Sequence, residues 1–107
     1  MDIGPPIYSV LDDDPAMRQC VETFIFGLAS HIDDLQEAEL GGDLPEVERL
    51  AKDLAAGARG AGYPQLVDVS DSTIAGCLAG ETDDVRKGIV ELTELAQRVR
   101  RGSRGSA

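Results

Sequence analysis

Apolar residues recur along this chain at steps of three and four, the period of a helix packed on one side. Met17, Val21, Phe24, Leu28 and Leu35 form one such stripe, widened by Cys20, Ile25 and Ile32. Leu44, Val47, Leu50, Ala51, Leu54, Ala58 and Ala61 form a second. Val85, Ile89, Leu92, Ala96 and Val99 step 4-3-4-3, a bundle seam. Between them, Leu66, Val69, Thr73 and Cys77, with Val67, Ile74 and Leu78, are the inward candidates of a third helix. That segment also contains Asp68-Val69-Ser70-Asp71-Ser72-Thr73, whose weak helix propensity makes a strand the rival reading. No other segment offers a strand to pair with it, so helix is expected.

Punctuation agrees with the stripes. Asp14-Pro15 supplies an N-cap and a first-turn proline for a helix running to about Leu40, where Gly41-Gly42 ends it. Asp43-Leu44-Pro45-Glu46 has the spacing of a capping box. Gly62-Tyr63-Pro64 separates the second helix from the third, and Gly80 closes the third near Ala79. Thr82-Asp83-Asp84 opens a fourth helix, expected to end near Arg101. The fold class predicted is all-α, an antiparallel up-down four-helix bundle with a short N-terminal arm or helix. Residues 1–13 form the arm, 14–101 the bundle, and 102–107 a flexible polar tail.

Charge narrows the function classes. The chain has 107 residues, enough for one modest core, and a formal charge of −10. That acidity argues against nucleic-acid and anionic-membrane surfaces. It also disfavours self-association unless an apolar patch is present, so a monomer is expected. Arg98, Arg100, Arg101 and Arg104 lie near the C-terminus, where they complement a helix dipole. Cys20 and Cys77 each sit among apolar residues and read as reduced core cysteines of a soluble cytoplasmic protein. No apolar run approaches a membrane span, and the acidic N-terminus lacks the blocks of a signal peptide. His31 borders an apolar stripe with no metal-ligating neighbours and reads as a boundary residue. The paired carboxylates are explained by capping and solubility, so no enzyme chemistry, cofactor or metal is expected.

The stretch Leu50 to Leu66, LAKDLAAGARGAGYPQL, is unusual in its small side chains. Helical spacing sets Lys52, Ala55 and Arg59 on the face opposite the apolar stripe. Each glycine there costs helix stability of roughly 1 kcal/mol relative to alanine, so a face kept this bare suggests close approach of another surface.

Asp14-Pro15-x-Met17 leading into VETFIFGLASHIDDLQEA, with the gap-free register of Lys52, Ala55, Ala56, Gly57, Ala58, Gly62, Pro64 and Leu66, resembles the histidine-containing phosphotransfer (HPt) domain. The resemblance covers roughly residues 8–101. It places Lys52 at the family's phosphoacceptor histidine, Ala55 at its lysine, and Ala56 at the glycine that lets a partner's backbone approach. An imidazole is nucleophilic near neutral pH, whereas an exposed lysine amine there is protonated. What the resemblance implies is a degenerate module of a two-component phosphorelay. Its fold is kept and its catalytic residues are lost. Its expected partners are a response-regulator receiver domain, with an acidic Mg²⁺ pocket, or a histidine kinase. Glu48, Lys52, Ala55, Ala56, Arg59 and Gly62 are the partner-binding candidates. The alternative is a regulatory or assembly bundle, pairing with itself or another protein, with no phosphorelay role.

Overall fold

A computed structural model describes residues 4–104. Four α-helices follow a single 3₁₀ turn at Pro15–Met17: α1 (Arg18–Leu40), α2 (Leu44–Ala61), α3 (Pro64–Ala79) and α4 (Thr82–Arg104). Each helix packs on the next and α1 closes on α4, giving an antiparallel up-down bundle. The polar segment Asp68 to Thr73 is helical, as expected, and no strand occurs among the described residues.

The caps form largely where the residues place them. The Asp14 carboxylate accepts from the Ala16 amide at 3.0 Å. The element it starts is the 3₁₀ turn, and the α-helix begins only at Arg18. Asp43 accepts from the Glu46 amide at 3.2 Å, but the Glu46 carboxylate grips Arg49 instead of closing a capping box. Gly62 and Gly80 end α2 and α3 in the left-handed region, at φ 83° and 70°.

Leu28, Ile32 and Leu35 of α1, Val47, Leu50 and Leu54 of α2, Leu66 of α3, and the whole α4 seam build the core. Several expectations fail at the edges. Cys20 is exposed, and only Cys77 is buried. Leu78 lies outside the core, whereas Thr73 is buried as its spacing implies, and Ser70 and Gly76 of α3 are buried beside it. Small residues there allow α3 and α4 to meet closely. A Cβ built on Gly88 would collide with the Thr73 hydroxyl and lie 3.2 Å from its Cβ.

The arm is fastened to the bundle. Ile7 is buried, and its amide donates to the Arg98 carbonyl at 3.0 Å. The Val10 amide donates to the Gly62 carbonyl at 2.9 Å, and the Ser9 hydroxyl to the Ala61 carbonyl at 2.5 Å. Arg98 and Arg101 reach back to the carbonyls of Pro5 and Gly4 at 2.9 and 3.0 Å. These two arginines hold the arm, a role beyond complementing the helix dipole. The helix α4 also runs three residues further than expected, to Arg104, so the tail does not start at Gly102. Gly102 is buried, and a Cβ there would run into the Ile7 carbonyl. The rest of the expected tail, residues 105–107, lies outside the described residues.

Tyr63 sits at the α2–α3 corner, buried, with its ring stacked on Phe24 at a centroid distance of 5.7 Å. Burial, reinforced by the Asp12 carboxylate, pushes its phenol from 10.0 up to about 12.

The contact between Gly88 and Thr73 generates a first prediction. Gly88→Ala gains about 1 kcal/mol of helix propensity but overpacks the seam, and a net loss of about 1–2 kcal/mol is expected in urea unfolding. In a Thr73→Ala background the same change should become neutral or stabilising; an equal loss in both backgrounds would refute the contact. A second prediction concerns Tyr63. Unfolded, the phenol ionises near 10; folded, it keeps its proton to about 12. Its contribution to stability is therefore full below pH 10 and is lost as pH rises towards 12. Urea midpoints between pH 9 and 12 should fall less steeply in Tyr63→Phe than in the wild type, and parallel curves would contradict this.

Candidate functional site

The middle of α2 carries an exposed strip formed by Lys52, Asp53, Ala56, Arg59 and Gly60. Helix geometry brings positions 52, 56 and 59–60 onto one side, and the same geometry sends Ala51, Leu54, Ala58 and Ala61 into the core. Lys52 Nζ lies 2.7 Å from the Glu48 carboxylate one turn earlier, and Glu48 is half-buried. Arg49 is gripped by Glu46 at 2.6 Å and approaches Asp53 at 3.4 Å. Its hydrogen bond holds the Glu46 carboxyl below the ordinary range. The Arg59 side chain has no ion-pair or hydrogen-bond partner among the described residues.

The candidate residues divide. Lys52, Ala56 and Arg59 share the exposed strip, with Glu48 anchoring Lys52. Ala55 does not belong with them: it is 4% exposed, on the inner side of α2. Gly62 is also buried, because the arm lies over it. A Cβ at Gly62 would meet Ser9 Oγ at 2.6 Å and Leu11 Cγ at 2.9 Å. Its glycine is required by the positive φ and by the arm, so no outside partner is needed to explain it. Gly57 is likewise accounted for within the bundle, since a Cβ there would touch the Phe24 ring at 3.1 Å. Ala56 and Gly60 are left as the small residues that face outward.

Arg59 stands at the rim of a cleft of about 260 Å³, with Val10 of the arm and Pro64 and Val67 of α3 among its walls. The sequence did not reveal this feature, because its walls come from three segments. Position 10 reads only as an apolar residue in an arm.

His31 is half-buried on α1, facing α2. Its Nε2 lies 2.9 Å from the Leu50 carbonyl, so Nε2 carries the proton and donates. It is a boundary residue joining two helices, as its place beside the apolar stripe implies. Among the described residues no group of His, Cys, Asp and Glu side chains is arranged to hold a metal ion. No helix there is long and apolar enough to cross a membrane.

Among the described residues the exposed strip sets the cations Lys52 and Arg59 beside Ala56 and Gly60, and the imidazole of His31 lies elsewhere, on α1. Comparison with known proteins finds no matching family model, no matching curated protein and no matching solved structure.

Proposed function

We propose that the chain is an HPt-like module of a two-component phosphorelay that docks a receiver domain or kinase through α2 and does not transfer phosphate. The observation that carries this reading is the outward strip of α2, where Lys52 and Arg59 flank the bare surface of Ala56 and Gly60. Arg59, whose side chain has no partner among the described residues, and Lys52, paired with Glu48, put two cations on one helix face beside Asp53, and they can complement an acidic pocket. Glu48 restrains the Lys52 side chain, which lowers the entropy lost when a partner arrives. The cleft beside Arg59 offers an apolar contact next to the charge.

Chemistry is absent for a physical reason. The position that the resemblance assigns to the acceptor histidine carries an ammonium with no lone pair for attack. The position assigned to the family lysine, Ala55, faces inward. A lysine there would have to bury its stem and snorkel its charge to reach that face.

The test uses a panel of Mg²⁺-loaded receiver domains, titrated calorimetrically against the wild type and Lys52→Glu. At least one receiver should bind the wild type, and reversal of the charge should weaken it roughly tenfold, about 1.4 kcal/mol. Equal binding by both proteins, or none by either, removes the reading. Incubation with a phosphorylated receiver should leave the wild type without acid-labile phosphate and label Lys52→His. Labelling of wild-type His31 would contradict the account.

A further inference from the structure

The apolar patch that an acidic chain needs for self-association is present, on α1 rather than α2. Phe26 is 92% exposed, the most exposed of the large apolar side chains among the described residues. It stands at the rim of a cavity of about 430 Å³ between α1 and the arm. Ile7, Val21 and Tyr63, all buried, contribute to the walls, and half-exposed Tyr8 stands on the arm side. Arg18, Glu22 and Phe26 succeed one another at four-residue steps, so they form one stripe along α1, and all three line this cavity. Neither the Arg18 nor the Glu22 side chain has an ion-pair or hydrogen-bond partner among the described residues.

The geometry points to a homodimer in which two α1 stripes meet antiparallel across a two-fold axis. In an isologous contact each surface must complement itself: whatever residue i touches, its counterpart touches i in return. This stripe meets that condition twice. An antiparallel approach sets Arg18 of each copy opposite Glu22 of the other, which pairs charges unpaired within one chain. The same approach carries Phe26 of each copy towards the arm side of the other's cavity, where Tyr8 and Leu11 stand. A knob and a hole on one face, beside one cation, Arg18, and two anions, Glu22 and the arm's Asp12, select a second copy over an unrelated protein. An unrelated partner would not need both signs of charge adjacent to both the projection and the recess.

Net charge opposes this contact, since each copy carries −10. At physiological salt the Debye length is about 8 Å, so charges on the far sides of the two bundles are largely screened. The proposed contact would give a dimer where charge alone predicts a monomer. It is independent of receiver docking, because it uses Arg18, Glu22 and Phe26 of α1 with Tyr8 and Leu11 of the arm, and none of the residues named for that docking.

Sedimentation equilibrium in 0.15 M NaCl tests it. The average mass of the wild type should rise from 11.3 kDa towards twice that value between micromolar and millimolar concentration. Phe26→Glu should weaken association by roughly tenfold or more while leaving the thermal midpoint at high dilution unchanged. Arg18→Glu and Glu22→Arg should each weaken it, and the double reversal should restore it. A wild type that stays monomeric throughout overturns the proposal. So does an association that survives Phe26→Glu, or single charge reversals that the double variant fails to repair.

Discussion

Alanine and glycine along α2 let that helix lie against α1, α3 and the arm at once. Ala51, Ala58 and Ala61 have no measurable exposure, and Gly57 leaves room for the Phe24 ring. Phe24 then stacks on Tyr63, which opens α3, so one aromatic pair ties α1 to the α2–α3 corner. The arm closes over the same corner through Ser9 and Val10. Enlarging any of these small residues would force helix axes or side chains apart. The α3–α4 seam uses the same device with different residues, Gly88 receiving Thr73.

This close packing changes what the small residues of α2 mean. A run of alanines and glycines can serve tight contact inside a protein or access for a partner outside it. Here the two uses interleave along one helix. Ala55 and Gly57 serve the inside, while their neighbours Ala56 and Gly60 contact nothing that would exclude a larger side chain at position 60 and lie open at position 56. The functional reading rests on the outward pair and the two cations beside them.

Helix stripes with large side chains were legible in the sequence because hydropathy contrast is high. Val85, Ile89, Leu92, Ala96 and Val99 are all buried, as their spacing requires. Glycine and capping chemistry marked Gly62, Gly80 and Asp43 correctly for the same local reason. Alanine carries little contrast, so Ala55 could not be told from Ala56 by type, and it was assigned to the wrong face. Ser70 is obscured in the same way: hydropathy places its hydroxyl outside, yet the tight seam takes small residues of any polarity, Thr73 among them. Thr73 satisfies its hydroxyl on the Val69 carbonyl at 2.8 Å. The arm's anchorage was illegible because it joins residues far apart in the chain, Pro5 with Arg98 and Val10 with Gly62. Such pairings leave no local periodicity. The cavity beside Phe26 and the cleft beside Arg59 depend on the arm and share its obscurity.

The division of α2 into an inner and an outer set of small residues is the central claim, and a matched pair of substitutions reads it directly. Ala55→Leu and Ala56→Leu change the same number of atoms at adjacent positions. Thermal midpoints of both, with binding of the receiver panel measured for the stable one, separate the two roles. The account predicts that Ala55→Leu lowers stability by about 1–3 kcal/mol, while Ala56→Leu stays within about 0.5 kcal/mol of the wild type and loses receiver binding. Equal destabilisation by the two changes, or undiminished binding by Ala56→Leu, would contradict it.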